Sequence, residues 1–266
     1  MSTDLPPVEH FNNGQLTKAI NSSVDQVRDN PSDTEKRWEL AVYLCFGGEL
    51  ERAQKHVKVM MQQAPDLVAD ALLLNSLLKG EAARQQFFTE GRLPNFPEQP
   101  SNRVQQLLKG HADFRDSQTN GSSFFDEVAK HGNDVSGSCD GKPFTSFRDV
   151  DGQTSIVLEA ITIGGDYYWL EYDEIRQLEL SELNAPQDVL WRQAEITMKG
   201  EQQVSAYLPS IYYGSHKSED EALKLGRAFE QSTEASRAVG GKMLLVDGVN
   251  HPLCTCLLYT SPSPRD

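Results

Sequence analysis

Cysteine, positive charge and long apolar runs are all scarce in this chain. The four cysteines among 266 residues, Cys45, Cys139, Cys254 and Cys256, form no C-x-x-C pair with a second pair or histidines at zinc spacing. A secreted disulfide framework is denser than this, so a reducing compartment is expected. No window approaches the roughly 18 consecutive apolar residues of a membrane span. The start, Met1 to His10, is acidic and proline-containing rather than a basic stretch followed by an apolar core, so neither export nor anchoring is expected and the chain reads as cytoplasmic. Lys and Arg number 25 against 39 Asp and Glu, a formal net charge of -14 with pI ≈ 4.9. Phosphate binding draws its affinity from clustered Lys and Arg, so a nucleic-acid partner is not expected and protein partners are.

The signatures of chemistry are also missing. No G-x-x-x-x-G-K-[ST] or G-x-G-x-x-G segment offers a phosphate cradle, and the six histidines share no H-x-x-x-H or H-E-x-x-H spacing. Gly137-Ser-Cys139-Asp-Gly141 has the outline of a nucleophile elbow, but an elbow needs a buried strand before it and a helix after it. Asn133 to Ser136 is polar and Pro143 follows, so a plain loop is expected. Asp149-x-Asp151-Gly152 has glycine directly after the second acid, unlike an EF-hand loop, and reads as a hairpin turn. No catalytic residue, metal or cofactor is expected.

What is present is an internal repeat. Gly14-Gln-Leu16-x-x-Ala19 returns as Gly48-Glu-Leu50-x-x-Ala53, and Pro31 returns as Pro65, each at an offset of 34, the tetratricopeptide (TPR) period. Two antiparallel helices pack closely only where a small side chain lets the neighbouring backbone approach, which is the part Ala19 and Ala53 play. Gly14 and Gly48 end helices, and Pro31 and Pro65 stop the following ones. Ser32-Asp-Thr-Glu35 reads as a capping box for a helix over 33–46, with Trp38, Ala41, Val42 and Cys45 on its core face. A degraded third unit is expected from Asp66 to Gly91, and the Pro-rich stretch Leu93 to Pro100 marks a boundary. Arg103 to Phe114 and Ser122 to His131 still read as helices, the latter closed by Gly132.

From about residue 143 the pattern becomes short runs of Ile, Val, Tyr and Trp between turn residues, the language of strands. Phe144 to Val150 and Gln153 to Ile161 are expected to pair across Asp151-Gly152, with Asp166 to Leu170 as a third strand. Val189 to Met198 and Val204 to Leu208 pair around Lys199 to Gln203, Lys242 to Asp247 closes the sheet, and Glu219 to Gly226 forms a short helix. The fold class is therefore α+β. TPR-like helices occupy 1–100, a helical connector 101–142, and a mixed, mostly antiparallel β-rich domain 143–255. Residues 256–266 are set apart, because Cys256-Leu-Leu-Tyr-Thr-Ser-Pro-Ser-Pro-Arg-Asp266 back-translates without a mismatch to the transposase adapter of sequencing libraries. Such a segment is expected to make no contacts with the fold.

Several phrases of the second half together resemble one family. They are Pro143-Phe144 with Phe147-Arg-Asp149-x-Asp151, Val157-Leu-Glu159, Gly165-Asp-Tyr-Tyr-Trp169, Asp188-Val-Leu-Trp191 with Ala194, Tyr207-Leu-Pro-Ser-Ile-Tyr-Tyr-Gly-Ser215 and Leu223-Lys-Leu-Gly-Arg227. In this order they resemble the ImpE/SciE/TagJ family of type VI secretion accessory proteins. The resemblance implies a cytoplasmic adaptor that binds an N-terminal helix of the small contractile-sheath subunit and is linked to ClpV, the ATPase that disassembles contracted sheath. It brings no catalytic residues. This chain departs from the family after Gly226-Arg227, where Ala228-Phe-Glu-Gln231 lacks the usual tryptophan. The repeat alone is also compatible with a general TPR-type scaffold or co-chaperone unrelated to secretion. Two groups of residues are candidates for partner binding. One is the acidic run around Glu171, Asp173 and Glu174, suited to steering a basic partner. The other is the aromatic phrase with Tyr207, Pro209, Tyr212 and Tyr213, since tyrosine is enriched among interface anchors.

Overall fold

The computed structural model describes residues 5–117, 121–131, 135–232, 237–253 and 258–260. Five helices open it: α1 (Pro7–Asn12), α2 (Leu16–Asp29), α3 (Thr34–Phe46), α4 (Leu50–Gln63) and α5 (Val68–Glu90). Gly14 and Gly48 sit at φ 77° and 73°, the left-handed conformation that lets each helix end in a tight turn. Leu16 and Leu50 are buried, and Ala19 and Ala53 are fully enclosed, so the repeat spacing corresponds to equivalent packing positions. The cap of α3 differs from the expected box: Asp33, not Ser32, accepts from the Lys36 N–H at 3.1 Å. The third unit also differs, being the single long helix α5 after a 3-10 turn at Pro65–Leu67. Apolar residues lie on all sides of α5 because it is covered both by α4 and by the sheet.

Helices α6 (Asn102–Ser117) and α7 (Gly121–His131) follow; Gly132 lies outside the described residues. Strands β1 (Gly137–Cys139) and β2 (Lys142–Phe144) then form a hairpin whose turn is Asp140-Gly141, at φ 49° and 77°. The Gly137–Gly141 segment is thus a strand and turn with no helix after it. Next come β3 (Phe147–Asp149), β4 (Val157–Thr162), β5 (Tyr167–Glu171), β6 (Ile175–Leu180), β7 (Trp191–Met198) and β8 (Gln203–Pro209). The short helix α8 (Glu221–Lys224) precedes β9 (Phe229–Ser232), β10 (Arg237–Gly240), β11 (Met243–Val246), β12 (Val249–Pro252) and β13 (Leu258–Thr260). The main sheet has the order β2-β1-β13-β6-β7-β8-β4-β5, and among the described residues its strands pair antiparallel.

Three expectations are corrected here. The hairpin across Asp151-Gly152 does not form: Asp151 instead caps a 3-10 turn, Gly152–Thr154, by accepting from the Gln153 N–H at 2.8 Å, and β3 pairs with β11. Consequently Lys242 to Asp247 does not close the main sheet but joins a smaller one, ordered β12-β11-β3. The tail is not free of contacts either, because the backbone of Leu258–Thr260 pairs with β1 on one side and β6 on the other. An edge strand leaves a row of unpaired N–H and C=O groups, and a Leu-Tyr-Thr run has the composition to fill it.

Strand alternation divides the main sheet cleanly. Val157 and Ile161 of β4 pack in a core shared with the helices, while Leu158 and Ala160 belong to a second core that also contains Phe147, Leu244 and Val246 of the small sheet. The layers are therefore helices, main sheet and small sheet. Helix and sheet meet most closely at Gly80 of α5, where an added Cβ would lie 2.3 Å from Ile161 Cγ2.

Ala53→Leu should overpack the α3/α4 interface and cost about 1 to 3 kcal/mol. Chemical denaturation of that variant checks it, and an unchanged midpoint would count against the close packing.

Candidate functional site

Where α5 crosses the sheet, the shared core contains charge. Helix α5 carries Glu81 and Arg84 on its sheet-facing side, and β4 points Glu159 towards it. Arg84 meets Glu159 in a forked pair, Nε to Oε1 at 2.7 Å and Nη2 to Oε2 at 3.1 Å, and Nη2 also donates to the Ile211 carbonyl at 3.1 Å. Lys242 reaches Glu159 at 2.8 Å and Asp149 at 3.3 Å, and all four residues are buried. Tyr167 donates to Glu159 at 2.6 Å and receives the Trp169 indole N–H at 2.6 Å. Tyr212 donates to Asp149 at 2.6 Å and receives the Met243 N–H at 3.0 Å.

The electrostatics follow from this wiring. Burial alone pushes the Glu159 carboxyl up, but Arg84 and Lys242 outweigh it and hold it well below the usual carboxylate range. At Asp151, burial together with Asp149 outweighs the Gln153 and Ala238 N–H groups and the charge of Arg237 and raises it to about 7. Burial also raises Glu81, against the pull of Arg84. Next to the network, His111 packs on Phe87 with ring centres 4.7 Å apart and donates Nε2–H to the Gln153 carbonyl at 2.8 Å; burial lowers its pKa to about 4. Every residue in this centre is tied to another protein group, an arrangement suited to holding elements together.

The residues expected to bind a partner fall in four places. Tyr212 and Pro209 are enclosed, Tyr212 with its hydroxyl committed to Asp149, so neither presents a face to a partner. Tyr213 is half-buried and stacks on Phe88 at 4.3 Å, with Lys217 and Arg237 near its ring. Tyr207 is half-buried on β8 and lines a cleft of about 450 Å³ with Trp38, Leu73 and Trp191. Glu171, Asp173 and Glu174 line a separate cleft of about 340 Å³ with Phe96 and Trp169. Glu171 accepts from the Ser101 N–H at 2.8 Å and Asp173 pairs with Arg103 at 2.8 Å, so two of these acids already hold the Pro-rich segment and α6 to the sheet. A third cleft, about 490 Å³ and mostly apolar, lies between Phe11 and Phe46 on the helical side and Phe229 and Met243 on the other. The segment that departs from the family, Ala228-Phe-Glu-Gln231, contributes Ala228 and Phe229 to its wall. Among the described residues, no group of three or more His, Cys, Asp or Glu is placed to hold a metal ion. No described helix is long and apolar enough to cross a membrane.

The sequence reading missed Arg84, Glu81, His111 and Lys242. No local signal singles out the first two: the same stretch, Leu72 to Phe88, also carries the exposed Lys79, so only the docking of α5 on the sheet decides which of its charges are buried and paired.

Comparison with known proteins agrees with the phrases noted in the sequence. Residues 141–257 match the family model described as ImpE protein. The chain is 27% identical over 241 residues, 88% of its length and 83% of the relative's, to the type VI secretion system accessory component TagJ of Pseudomonas aeruginosa. A protein of Vibrio parahaemolyticus solved by X-ray crystallography has the same fold, with a TM-score of 0.87 at 20% identity over 96% of this chain and 97% of that one. These findings bear out the resemblance to the ImpE/SciE/TagJ family and the α+β class.

Two outcomes follow from the buried centre. Arg84→Ala leaves Glu159 and Glu81 short of their shared cation and should cost about 3 to 5 kcal/mol, whereas Arg84→Met combined with Glu159→Leu should cost clearly less than the sum of the two single changes. Additive losses in a double-mutant cycle would show that the pair is not coupled. For His111 the folded value, about 4, lies below the ordinary 6.5, so the unfolded chain takes up a proton that the fold refuses. Its contribution, about 3 kcal/mol at most, is present above pH 6.5 and lost as pH falls towards 4. Asp151, raised from 3.8 to about 7, works in the opposite sense, its contribution being present below pH 3.8 and lost progressively as pH rises from there to about 7. His111→Phe should therefore flatten the decline in unfolding free energy between pH 6.5 and 4.5 relative to the parent, and parallel curves would rule the assignment out.

Proposed function

We propose that this chain is a non-enzymatic, cytoplasmic accessory protein of a type VI secretion system. It acts as an adaptor that takes up the N-terminal helix of the small contractile-sheath subunit and links it to the ClpV disassembly ATPase. The observation that carries this reading is the similarity to TagJ, an accessory component of that system, along 88% of the chain. The architecture is in keeping with it. A stack of helices fused to a sheet through a shared core gives a stiff body, and stiff bodies with clefts between their layers take up helices by their apolar faces. The charge suits a basic helix: residues 101–255 hold 24 Asp and Glu against 14 Lys and Arg. A surface of one sign steers an oppositely charged partner and makes its on-rate sensitive to salt.

Titrating a synthetic peptide of the sheath subunit's N-terminal helix into the purified protein tests the reading. Saturable binding is expected, with an on-rate that falls as salt rises. Absence of saturation up to about 1 mM peptide, an affinity near -4 kcal/mol, would remove the adaptor mechanism.

A further inference from the structure

We infer that the cleft between α5 and the β7/β8 side of the main sheet is a docking groove for a basic amphipathic helix. The inference deepens the function proposed above and rests on it only for the identity of the partner. The groove is built from two layers. Helix α3 contributes Trp38, α5 contributes Leu73 and Leu77, and the sheet contributes Trp191 and Tyr207. Trp38, Leu73 and Tyr207 are only partly buried although they are large and apolar or aromatic, so they present unsatisfied surface to whatever enters. The volume of about 450 Å³ is too small for a whole helix. It matches roughly three benzene-sized groups at about 150 Å³ each, the number of large side chains a helix presents at i, i+3 or i+4, and i+7.

Charge selects the occupant. Asp70 on one wall and Glu182 and Asp188 on the other ring the apolar floor, and among the described residues lining the groove there is no Lys or Arg. Asp188 is spoken for in part, since its Oδ2 accepts the N–H groups of Asn184 and Ala185 at 2.8 Å, but its charge remains. Burial, then Asp188 and Glu195, raise the Tyr207 hydroxyl pKa, so the phenol stays neutral and free to donate. The other two clefts fit less well. The apolar one beside Phe229 has Arg227 and Lys242 and no carboxylate in its lining, and the acidic one beside Trp169 has two of its acids, Glu171 and Asp173, committed to Ser101 and Arg103. The groove is also held in shape from below: the Trp191 indole donates to Glu81 at 3.4 Å, which joins its floor to the Arg84 centre. A groove formed in advance loses little ordering entropy on binding.

The groove contains two of the chain's three tryptophans, so intrinsic fluorescence reports on its occupancy. Three Trp-free peptides serve as probes: the sheath subunit's N-terminal helix, a designed Leu/Lys amphipathic helix, and the same helix with Glu for Lys. The first two should bind with a change in tryptophan emission, and the Leu/Glu helix at least tenfold more weakly. The surface double change Asp70→Lys with Glu182→Lys, and separately Tyr207→Ala, should each weaken binding tenfold or more, whereas Phe229→Glu in the neighbouring cleft should leave it unchanged. Hydrogen exchange on the complex should show protection in α5 and β8. If the sheath peptide fails while the Leu/Lys helix binds in the groove, the surface stands and the proposed partner falls. If the sheath peptide binds with full affinity to the groove variants, the groove is overturned and the adaptor reading survives. Binding of neither peptide overturns both.

Discussion

The structure turns on one ion pair, Arg84 with Glu159. A charge taken out of water must be met by an opposite charge in good geometry, and each of these residues belongs to a different layer: Arg84 to α5, Glu159 to β4 of the main sheet. Apolar packing alone tolerates sliding, since Leu on Ile is worth nearly the same one position along. A forked, two-bond contact does not tolerate it. The pair therefore fixes the register of α5 against β4. Gly80, which admits Ile161 one turn before Arg84, fits only in that register. Lys242 then extends the constraint through the sheet, because its ammonium touches Glu159 on one side and Asp149 on the other.

This centre gives a physical meaning to the phrases that carried the family resemblance. Asp149 and Asp151, Glu159, Tyr167 and Trp169, and Tyr212 come from four separate stretches of sequence, and all are members of the network or rest directly on it. From the sequence alone, the aromatic phrase around Tyr212 suggests a surface for a partner and Asp149-x-Asp151-Gly152 reads as a hairpin turn. Buried, they satisfy one another. A family signature made of polar and aromatic residues can thus record how two layers are joined.

The helical half was largely legible because its rules are local. An alanine 34 residues from another alanine, each three after a leucine and five after a glycine, specifies a repeated helix contact without reference to anything distant. The sheet was legible in its strands but less so in its pairings, and the two Asp-Gly pairs show why. Asp140-Gly141 makes the two-residue hairpin that such a pair commonly makes, while Asp151-Gly152 starts a 3-10 turn. The difference lies in the surroundings. The Asp151 carboxylate accepts the Gln153 and Ala238 N–H groups, and Ala238 is 87 residues away. Strand β6 was missed for a related reason. Its Ile175, Leu178 and Leu180 are buried, but they sit among Glu171, Asp173, Glu174, Glu179 and Glu182, and the run of acids masked the apolar spacing. Nor does a cleft between α5 and β8 have any signature in one dimension, since Leu73 and Tyr207 are brought together only by the docking of the layers.

That last point bears on how such a protein recognises a partner. If helices and sheet were independent, a surface shared between them would open and close with their relative motion, and binding would have to restrain that motion at the cost of affinity. The continuous core from Phe11 and Phe46 through Phe87 to Trp169 and Trp191 removes that freedom. The hydrogen bond from Trp191 to Glu81 then places one buried side chain in both systems, lining the floor of the cleft with its ring and reaching the ion pair through its nitrogen. The same connection means that the residues deciding the stability of this protein and those shaping its recognition surface overlap at Glu81 and Trp191. Substitutions there will alter both properties together, whereas Asp70 and Glu182, out on the rim, are free to vary with the charge of the partner.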